Sequence, residues 1–199
     1  MLRRALWKLA PLFGPAAARW AWNDQFARGK WDYLKARDHR VTELIAKLAN
    51  GGAVVDLGCG EGNLAFDLPA GSYERYIGVD VSSVAIERAN HAAYAKANSR
   101  CEFRCADLRT WEGESGADVI LIEEALYYLA PTAQAALLDA CERSLTPGGS
   151  LVIIVHDEAR HARTIALIES RYGAQARHET GGSRACYVAA VGVAQRAAA

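Results

Sequence analysis

A glycine-rich segment constrains the fold of this 199-residue chain more than any other feature of its sequence. A short apolar run at 53–57 is followed by Gly58, Gly60 and Gly62 at alternate positions, and a helical stretch comes next. Glycine adopts positive φ angles easily and lets a ligand approach the backbone where a Cβ would otherwise stand. This order of strand, glycine turn and helix predicts a binding loop for a nucleotide-like cofactor.

The spacing of these glycines argues against a nicotinamide cofactor. The dinucleotide pattern GxGxxG, started at Gly58, requires a glycine at position 63, where this chain has Asn63. Asp56, which precedes the loop, would repel a bound pyrophosphate and suits a cationic ligand group better. The loop therefore indicates a cofactor that carries positive charge near the end of the strand.

Apolar runs alternate with helical stretches along the rest of the chain, which predicts a mostly parallel sheet with helices on both faces. Strands are expected near 53–57, 76–81, 101–105, 119–122 and 151–155, and helices near 41–48, 83–97, 132–145 and 158–171. Two weaker strands near 175–179 and 185–193 flank Gly181-Gly182, a pair typical of a hairpin. The expected fold is therefore α/β, with a seven-stranded sheet whose C-terminal hairpin is antiparallel.

The loop and the strand ends that follow it resemble the motifs of class I S-adenosylmethionine-dependent methyltransferases. The resemblance covers about residues 40–193 and includes the turn Leu145 to Gly149 before the fifth strand. It extends to bacterial small-molecule members, among them the nodulation N-methyltransferases and those that carry Trp-Asp-Tyr-Leu before the core, here at 31–34. The resemblance implies a Rossmann-like αβα sandwich that binds S-adenosylmethionine and releases S-adenosylhomocysteine.

The same resemblance implies roles for particular residues. Asp56 and the glycine loop would hold the methionine end of the cofactor, Asp80 its ribose hydroxyls and Asp107 its adenine amino group. Arg40 would grip the cofactor carboxylate, although a solvated arginine on a helix face fits the sequence as well. The residues that we expect to contact the cofactor are Arg40, Asp56, Gly58, Cys59, Gly60, Gly62, Asp80, Val81, Asp107, Leu108 and Glu123.

Candidate catalytic residues follow the fourth and fifth predicted strands, because these strand ends should lie beside the transferred methyl group. Adjacent strand residues face opposite sides, so only one of Glu123 and Glu124 should reach the pocket, and we favour Glu124. His156 is a candidate general base because it is a histidine, the side chain most often used in this role, and it also fits a helix cap. Tyr128 fits either an acceptor-orienting role or simple packing under a helix.

The front of the chain is rich in aromatic residues. Four of the five tryptophans lie in the first 40 residues, at Trp7, Trp20, Trp22 and Trp31. We expect residues 1–40 to form a helical lid over a cofactor-binding domain at 41–199, with Trp22, Trp31 and Tyr33 covering the acceptor. The alternative is that these aromatic side chains only fix a helix onto the sheet.

The composition limits the other function classes. The chain has 23 basic and 23 acidic residues, and Glu123 to Leu126 differs from the Asn/Asp-Pro-Pro-Tyr/Phe segment of base-modifying amino-methyltransferases, so no nucleic-acid partner is expected. Its five cysteines form no CxxC pair, which predicts no metal site and a reduced, cytoplasmic protein. The sequence contains no run of about 18 apolar residues, so no membrane span is predicted.

Residues 1–18 do not fit a signal peptide. Lys8 and Pro11 interrupt the apolar run that a signal peptide would need, and an amphipathic helix fits the spacing better. Such a helix either packs on its own domain or makes a weak contact with an anionic membrane surface.

The sequence thus predicts a methyltransferase, a monomer or homodimer, that modifies an oxygen or nitrogen of a small molecule such as a sugar, a saccharide or a secondary metabolite. Two alternatives stay open. One is a protein or peptide methyltransferase, which would need an open groove in place of a closed lid. The other is a regulatory subunit that binds the cofactor without turnover.

Overall fold

A computed structural model describes residues 14–31, 39–173, 177–179 and 184–190. The predictions for Tyr33, and most of those for the segment 1–18, lie outside these residues. The domain boundary predicted between residues 40 and 41 falls in the first turn of the helix that begins at His39, and it stays a prediction.

The helices are α1 (Pro15–Ala27), α2 (His39–Ala49), α3 (Asn63–Asp67), α4 (Ser83–Ala95), α5 (Pro131–Ser144) and α6 (Ala162–Tyr172). The strands are β1 (Ala53–Leu57), β2 (Arg75–Asp80), β3 (Cys101–Cys105), β4 (Ala117–Glu123), β5 (Leu145–His156), β6 (Arg177–Glu179) and β7 (Arg184–Ala190). Short 3₁₀ turns follow β3 at Leu108–Thr110 and β4 at Leu126–Tyr128. None of the helices in the described ranges is long and apolar enough to cross a membrane.

All these strands join one sheet in the order β3-β2-β1-β4-β5-β7-β6. Strands β1 to β5 pair in parallel, and β7 lies antiparallel between β5 and β6. The predicted mostly parallel sheet with an antiparallel C-terminal pair is confirmed. Six strands have five or more residues, whereas β6, at the edge, has three.

Strand β5 begins earlier than the sequence predicts. The turn-like residues Leu145 to Gly149 belong to the strand, because Ala117 of β4 pairs with Leu145 before the register shifts at Val119. Hydrogen bonding to β4, which the local sequence does not reveal, therefore decides where β5 starts.

Each face of the sheet has its own apolar core. On one face, strand residues such as Ile120 and Ile153 pack with Leu138 of α5 and Ile168 of α6. On the other face, residues that alternate with them pack against α2, α3 and α4. The central strands are buried on both sides, which explains their near-continuous apolar sequences. Helices therefore lie on both faces, and the carboxyl ends of β1 to β5 meet at one edge of the sheet.

Candidate functional site

The glycine loop follows β1 at this edge. Gly58, Gly60 and Gly62 have φ angles of 89°, 55° and 73°, all in the region that favours glycine. A Cβ on Gly58 would lie 2.5 Å from the Cβ of Ala125, and one on Gly62 would lie 2.4 Å from a ring carbon of Phe103. The loop therefore requires glycine for its close packing as well as for its backbone conformation.

Cys59 lies between the first two glycines, and its side chain is buried beneath the loop. A Cβ on Gly78 of β2 would come within 2.8 Å of its sulfur. The thiol is thus turned toward the sheet, and only the backbone of Cys59 is available to a ligand above the loop.

Asp56 lies in β1 just before the loop and is 2% exposed. The hydroxyl of Tyr76, on the neighbouring strand, donates a hydrogen bond to its carboxylate. This bond fixes the orientation of a buried acid directly under the glycine turn.

Asp80 ends β2 and is also buried. Its carboxylate accepts hydrogen bonds from the backbone N–H groups of Gly60 at 3.0 Å and Ser82 at 2.8 Å. Burial nevertheless raises the pKa of Asp80 to about 6. A carboxylate oxygen accepts more than one hydrogen bond, so this acid is suited to bind a pair of neighbouring hydroxyls beside the loop.

Asp107 follows β3 and forms the cap of the 3₁₀ turn that contains the buried Leu108. The guanidinium of Arg109 donates to its carboxylate at 2.6 Å, and the backbone N–H of Arg109 does so at 2.9 Å. Burial alone would raise the pKa of Asp107, but these hydrogen bonds outweigh it and hold the pKa below its usual value. Arg109 is absent from the sequence prediction, although its position two residues after the acid is a visible signal.

The two acids at the end of β4, Glu123 in the strand and Glu124 just after it, have different surroundings. Glu123 alternates with Val119 and Leu121, which face the core formed with α2, α3 and α4. Glu124 has a φ of 57°, which is uncommon for a residue with a side chain. Its carboxylate accepts a hydrogen bond from the hydroxyl of Tyr127 at 2.7 Å.

His161 lies next to Tyr127, the hydrogen-bond partner of Glu124, although no sequence pattern predicts it at the site. Its ring stacks on Tyr127 with the ring centroids 3.8 Å apart and an interplanar angle of 19°. Burial and the nearby Arg160 lower the pKa of His161, which favours the neutral imidazole. His156, the predicted general base, is exposed at the end of β5.

Helix α1 brings aromatic rings to the same edge. The Trp22 ring meets the Tyr128 ring at 4.8 Å and 85°, and it lies 5.7 Å from the Trp31 ring. Phe26 lies 6.5 Å from Trp31, and a Cβ on Gly60 would be 3.4 Å from the Phe26 ring. We call Trp22, Phe26, Trp31 and Tyr128 the aromatic cluster.

Polar contacts hold α1 in this position. The side-chain amide of Asn23 accepts a hydrogen bond from the Ser82 hydroxyl at 2.8 Å and donates one to the Ser83 hydroxyl at 3.0 Å. Arg88 of α4 donates to the carbonyl of Phe26 at 2.9 Å and pairs with Glu61. The helix is therefore tied to the residues that follow β2 and to the glycine loop.

The predicted cofactor residues thus meet at the carboxyl edge, apart from Arg40, which lies exposed in the first turn of α2. Val81 lies beside Asp80 at the end of β2, where its carbonyl contacts the Cys105 thiol at 3.5 Å. A loop with glycine at alternate positions beside a buried carboxylate fits the amino-acid and ribose parts of a nucleoside cofactor. Within the described ranges no group of three or more His, Cys, Asp or Glu side chains is placed to hold a metal ion.

Comparison with known proteins agrees with this arrangement. A family model described as a methyltransferase domain matches residues 54–149. The chain is 34% identical over 149 residues to trans-aconitate 2-methyltransferase of Azoarcus sp. (strain BH72), a match that covers 70% of this chain and 54% of that protein. It is 29% identical over 141 residues to 27-O-demethylrifamycin SV methyltransferase of Amycolatopsis mediterranei, which covers 66% and 51%. The chain spans about half the length of these curated relatives.

Solved structures show the same fold. The N-methyltransferase NodS from Bradyrhizobium japonicum WM9, in complex with S-adenosylhomocysteine, superposes with a TM-score of 0.58 at 21% identity. The match covers 80% of this chain and 96% of that one. The methyltransferase domain of bacterial CtHen1-C superposes with a TM-score of 0.62, also at 21% identity, over 80% and 98% of the two chains.

Proposed function

We propose, from the membership of this chain in the class I S-adenosylmethionine-dependent methyltransferases, that it transfers a methyl group to an oxygen or nitrogen of a small molecule. The predicted family and its cofactor, S-adenosylmethionine, are confirmed by the methyltransferase-domain match and by the relatives. The acceptor class, the residue roles, the lid and the assembly as a monomer or homodimer in the cytoplasm are our proposals.

The contact between Gly60 and Asp80 is the observation that carries the proposal. The backbone N–H of Gly60 donates to the carboxylate of Asp80, so the loop and the acid form one surface. On this surface Asp80 would accept from the two ribose hydroxyls, while Gly58 and Gly60 would lie under the amino-acid part. Asp107 and the backbone of Leu108 would contact the adenine.

Three further residues complete the proposed cofactor site. Asp56 would carry the charge that attracts the amino group of the cofactor, and Glu123 would lie beside it at the end of β4. Arg40 remains our candidate for the cofactor carboxylate, in competition with a role as a solvated surface residue.

When bound, S-adenosylmethionine supplies a methyl group on a positively charged sulfur. Methyl transfer is an in-line displacement, so the protein must align the two reactants and remove the water between them. Correct orientation alone can supply about 7–11 kcal/mol of the barrier reduction. We assign this task to Tyr128 and Glu124 at the end of β4 and to the lid residues Trp22 and Trp31.

Two histidines near the ends of the strands are candidates for the general base. His156 is exposed, which favours a base that acts through solvent over one enclosed with the acceptor. His161 is half-buried against Tyr127 and favours the neutral form, so it is a second candidate for the same role.

Calorimetric titration with S-adenosylmethionine, S-adenosylhomocysteine and NAD tests the cofactor assignment. We expect micromolar binding of the first two ligands and none of NAD. The Asp56→Ala variant should lose binding, whereas Glu124→Gln, His156→Ala and His161→Ala should bind the cofactor normally but form S-adenosylhomocysteine more slowly when an acceptor is present. A folded protein that binds neither of the first two ligands would overturn the proposal.

A further inference from the structure

Arg88 of α4 contacts both the glycine loop and α1. A single terminal nitrogen of its guanidinium donates to the carboxylate of Glu61 at 2.6 Å and to the backbone carbonyl of Phe26 at 2.9 Å. Glu61 lies inside the loop, between Gly60 and Gly62, and Phe26 lies in the last turn of α1. One side chain therefore bridges the segment proposed to bind the cofactor and the helix proposed to cover it.

The carbonyl that Arg88 binds belongs to the turn that ends α1. The same carbonyl, of Phe26, accepts a hydrogen bond from the backbone N–H of Gly29 at 3.0 Å. A cationic donor at the last carbonyls of a helix is also favoured by the helix dipole. The chain continues from this turn to Trp31, whose ring centroid lies 6.5 Å from that of Phe26. Arg88 therefore holds the turn that leads to one ring of the aromatic cluster.

The ring of Phe26 contacts the loop next to this bridge. A Cβ on Gly60 would be 3.4 Å from the Phe26 ring, and the backbone N–H of Gly60 donates to the carboxylate of Asp80 at 3.0 Å. Phe26 thus meets the loop twice, through its ring at Gly60 and through its carbonyl, by way of Arg88, at Glu61. A change in the position of the loop would therefore be transmitted to α1 by both contacts.

The exposure of this ion pair argues against a role in stability alone. The Arg88 side chain is 42% exposed and that of Glu61 is 14% exposed. Water and salt screen a pair with one such accessible partner, so it adds little to the free energy of unfolding. Its two hydrogen bonds nevertheless have a fixed direction, because the guanidinium is planar and its donors are rigidly placed. The bridge is therefore better suited to set the position of α1 relative to the loop.

Binding of a cofactor to the loop and docking of α1 share this bridge. A ligand that holds the loop in one conformation also holds the carboxylate of Glu61, which orients the guanidinium of Arg88 toward the carbonyl of Phe26. By thermodynamic linkage, a ligand that strengthens the docking of α1 binds more tightly to the docked form, and by the same factor. The geometry thus gives a physical route between the two events.

We propose that Arg88 is a positioning residue that couples occupation of the cofactor loop to the docking of α1. This inference rests on the proposed methyltransferase function and adds regulation of the same site. Bound cofactor strengthens the contact between α1 and the loop, so the aromatic cluster is held in place most firmly when the methyl donor is present. Water is then excluded from the space between the reactants when its exclusion is needed.

Hydrogen exchange of the α1 amides, measured by mass spectrometry with and without saturating S-adenosylhomocysteine, tests the inference without turnover. In the unmodified protein we expect the ligand to slow exchange in α1 by at least about fivefold. Arg88→Met keeps the apolar part of the side chain and removes its donors. In this variant the ligand should slow exchange in α1 by less than about twofold. Calorimetric titration of the same samples measures ligand binding, and thermal melting reports whether each variant folds.

A second variant and a matched control locate the effect. Glu61→Gln removes the charge from the loop side of the bridge and leaves the bond between Arg88 and Phe26 in place. It should lower the effect of the ligand on α1 while exchange in the ligand-free protein stays close to normal. Arg75→Met is the control, because Arg75 pairs with Glu114 at similar exposures of 45% and 18% but begins β2, at the opposite edge of the sheet. It should retain the full effect of the ligand.

The outcomes separate the two proposals. If S-adenosylhomocysteine does not bind to the folded protein, the proposed function fails and this inference fails with it. If the ligand binds but does not slow exchange in α1 of the unmodified protein, only the coupling is wrong. If Arg88→Met speeds exchange by the same factor with and without the ligand, Arg88 merely supports the helix and the inference is overturned. An equal loss of the ligand effect in Arg75→Met would also overturn it.

Discussion

Asp80 shows how a single buried acid links stability to pH. Its folded pKa of about 6 exceeds the ordinary value of 3.8, so folding favours the protonated acid. The stabilisation that belongs to the protonated form is complete below a pH of about 4 and is lost as the pH rises through 6. The loss is the cost of holding an ionised carboxylate in a buried site.

The variant Asp80→Asn should remove this pH dependence. Because asparagine does not ionise, we expect the variant to gain stability relative to the unmodified protein by about 3 kcal/mol as the pH rises from 4 to 7. Denaturant unfolding of both proteins across this pH range measures the difference. A difference that stays constant with pH would show that Asp80 ionises as freely in the folded state as in the unfolded chain.

Ionisation of Asp80 should strengthen cofactor binding, although the same ionisation lowers the stability of the fold. Hydroxyl donors favour the ionised carboxylate, so below pH 6 a proton must leave Asp80 before the ribose can bind. We expect the affinity for S-adenosylhomocysteine to fall by up to about tenfold per pH unit below 6. Calorimetry at pH 5 to 7.5 tests this, and Asp80→Asn should bind weakly with a flat pH profile.

Gly58 and Gly71 allow a clean test of close packing. Both have strongly positive φ angles, 89° and 83°, but a Cβ on Gly58 would lie 2.5 Å from Ala125 whereas one on Gly71 would meet nothing within 4 Å. Gly71→Ala should therefore cost only the backbone strain of about 1 kcal/mol. Gly58→Ala should cost more and abolish cofactor binding, as thermal melting and titration would show. Equal effects in the two variants would remove the packing argument.

Among the structural elements, α1 depends on polar contacts with residues that follow β2. Asn23→Ala removes the two hydrogen bonds to Ser82 and Ser83, each of which contributes about 0.5–1.5 kcal/mol. We expect faster proteolysis within α1 and weaker S-adenosylhomocysteine binding, with little change in the melting of the sheet.

Arg28→Ala is the control for this prediction. Arg28 belongs to the turn after α1 and pairs with Asp24 at 2.8 Å, but both side chains are largely exposed. Exposed pairs of this kind contribute about 0–1 kcal/mol. If Arg28→Ala loosens α1 as much as Asn23→Ala does, the contacts with Ser82 and Ser83 are not what anchors the helix.

The elements also show what sequence patterns reveal and what they conceal. Strand β1 lies where the sequence predicts it because Gly52 and Gly58 bound an apolar run. The connection after β5 was harder to predict. Asp157 has a φ of 57°, and α6 begins at Ala162, later than expected. This turn brings His161 back over Tyr127, a long-range contact with no periodic signal.

The residues of the candidate site were also predictable from the sequence only in part. Asp56 and Asp80 are visible in the sequence because each ends an apolar run, and parallel strand ends meet at one edge of a sheet. The raised pKa of Asp80 is a property of burial, which only the packed structure determines. The contact between Trp22 and Tyr128 joins segments more than a hundred residues apart, so the sequence predicts the aromatic content but not the partners.

At the scale of the whole molecule, the two apolar cores do not depend on α1. Neither core cluster contains a residue of this helix, and the sheet begins at β1. A chain starting at residue 39 should therefore fold cooperatively, with a melting temperature lowered by no more than about 5 °C. Its affinity for S-adenosylhomocysteine should fall markedly. Failure of this shortened chain to unfold cooperatively would show that α1 is part of the core.

The contact between Gly58 and Ala125 limits which substitutions the acceptor side of the site can accept. Ala125 follows Glu124, the acid that we propose faces the acceptor, and the methyl group of Ala125 occupies the space that a side chain at Gly58 would need. A larger residue at position 125 would reshape the acceptor side and press on the cofactor loop at the same time. New acceptor preferences should therefore arise more easily through Trp22 of α1, or Trp31 in the turn that follows it, than through position 125. Substitutions at these two tryptophans leave the packing of Gly58 against Ala125 unchanged.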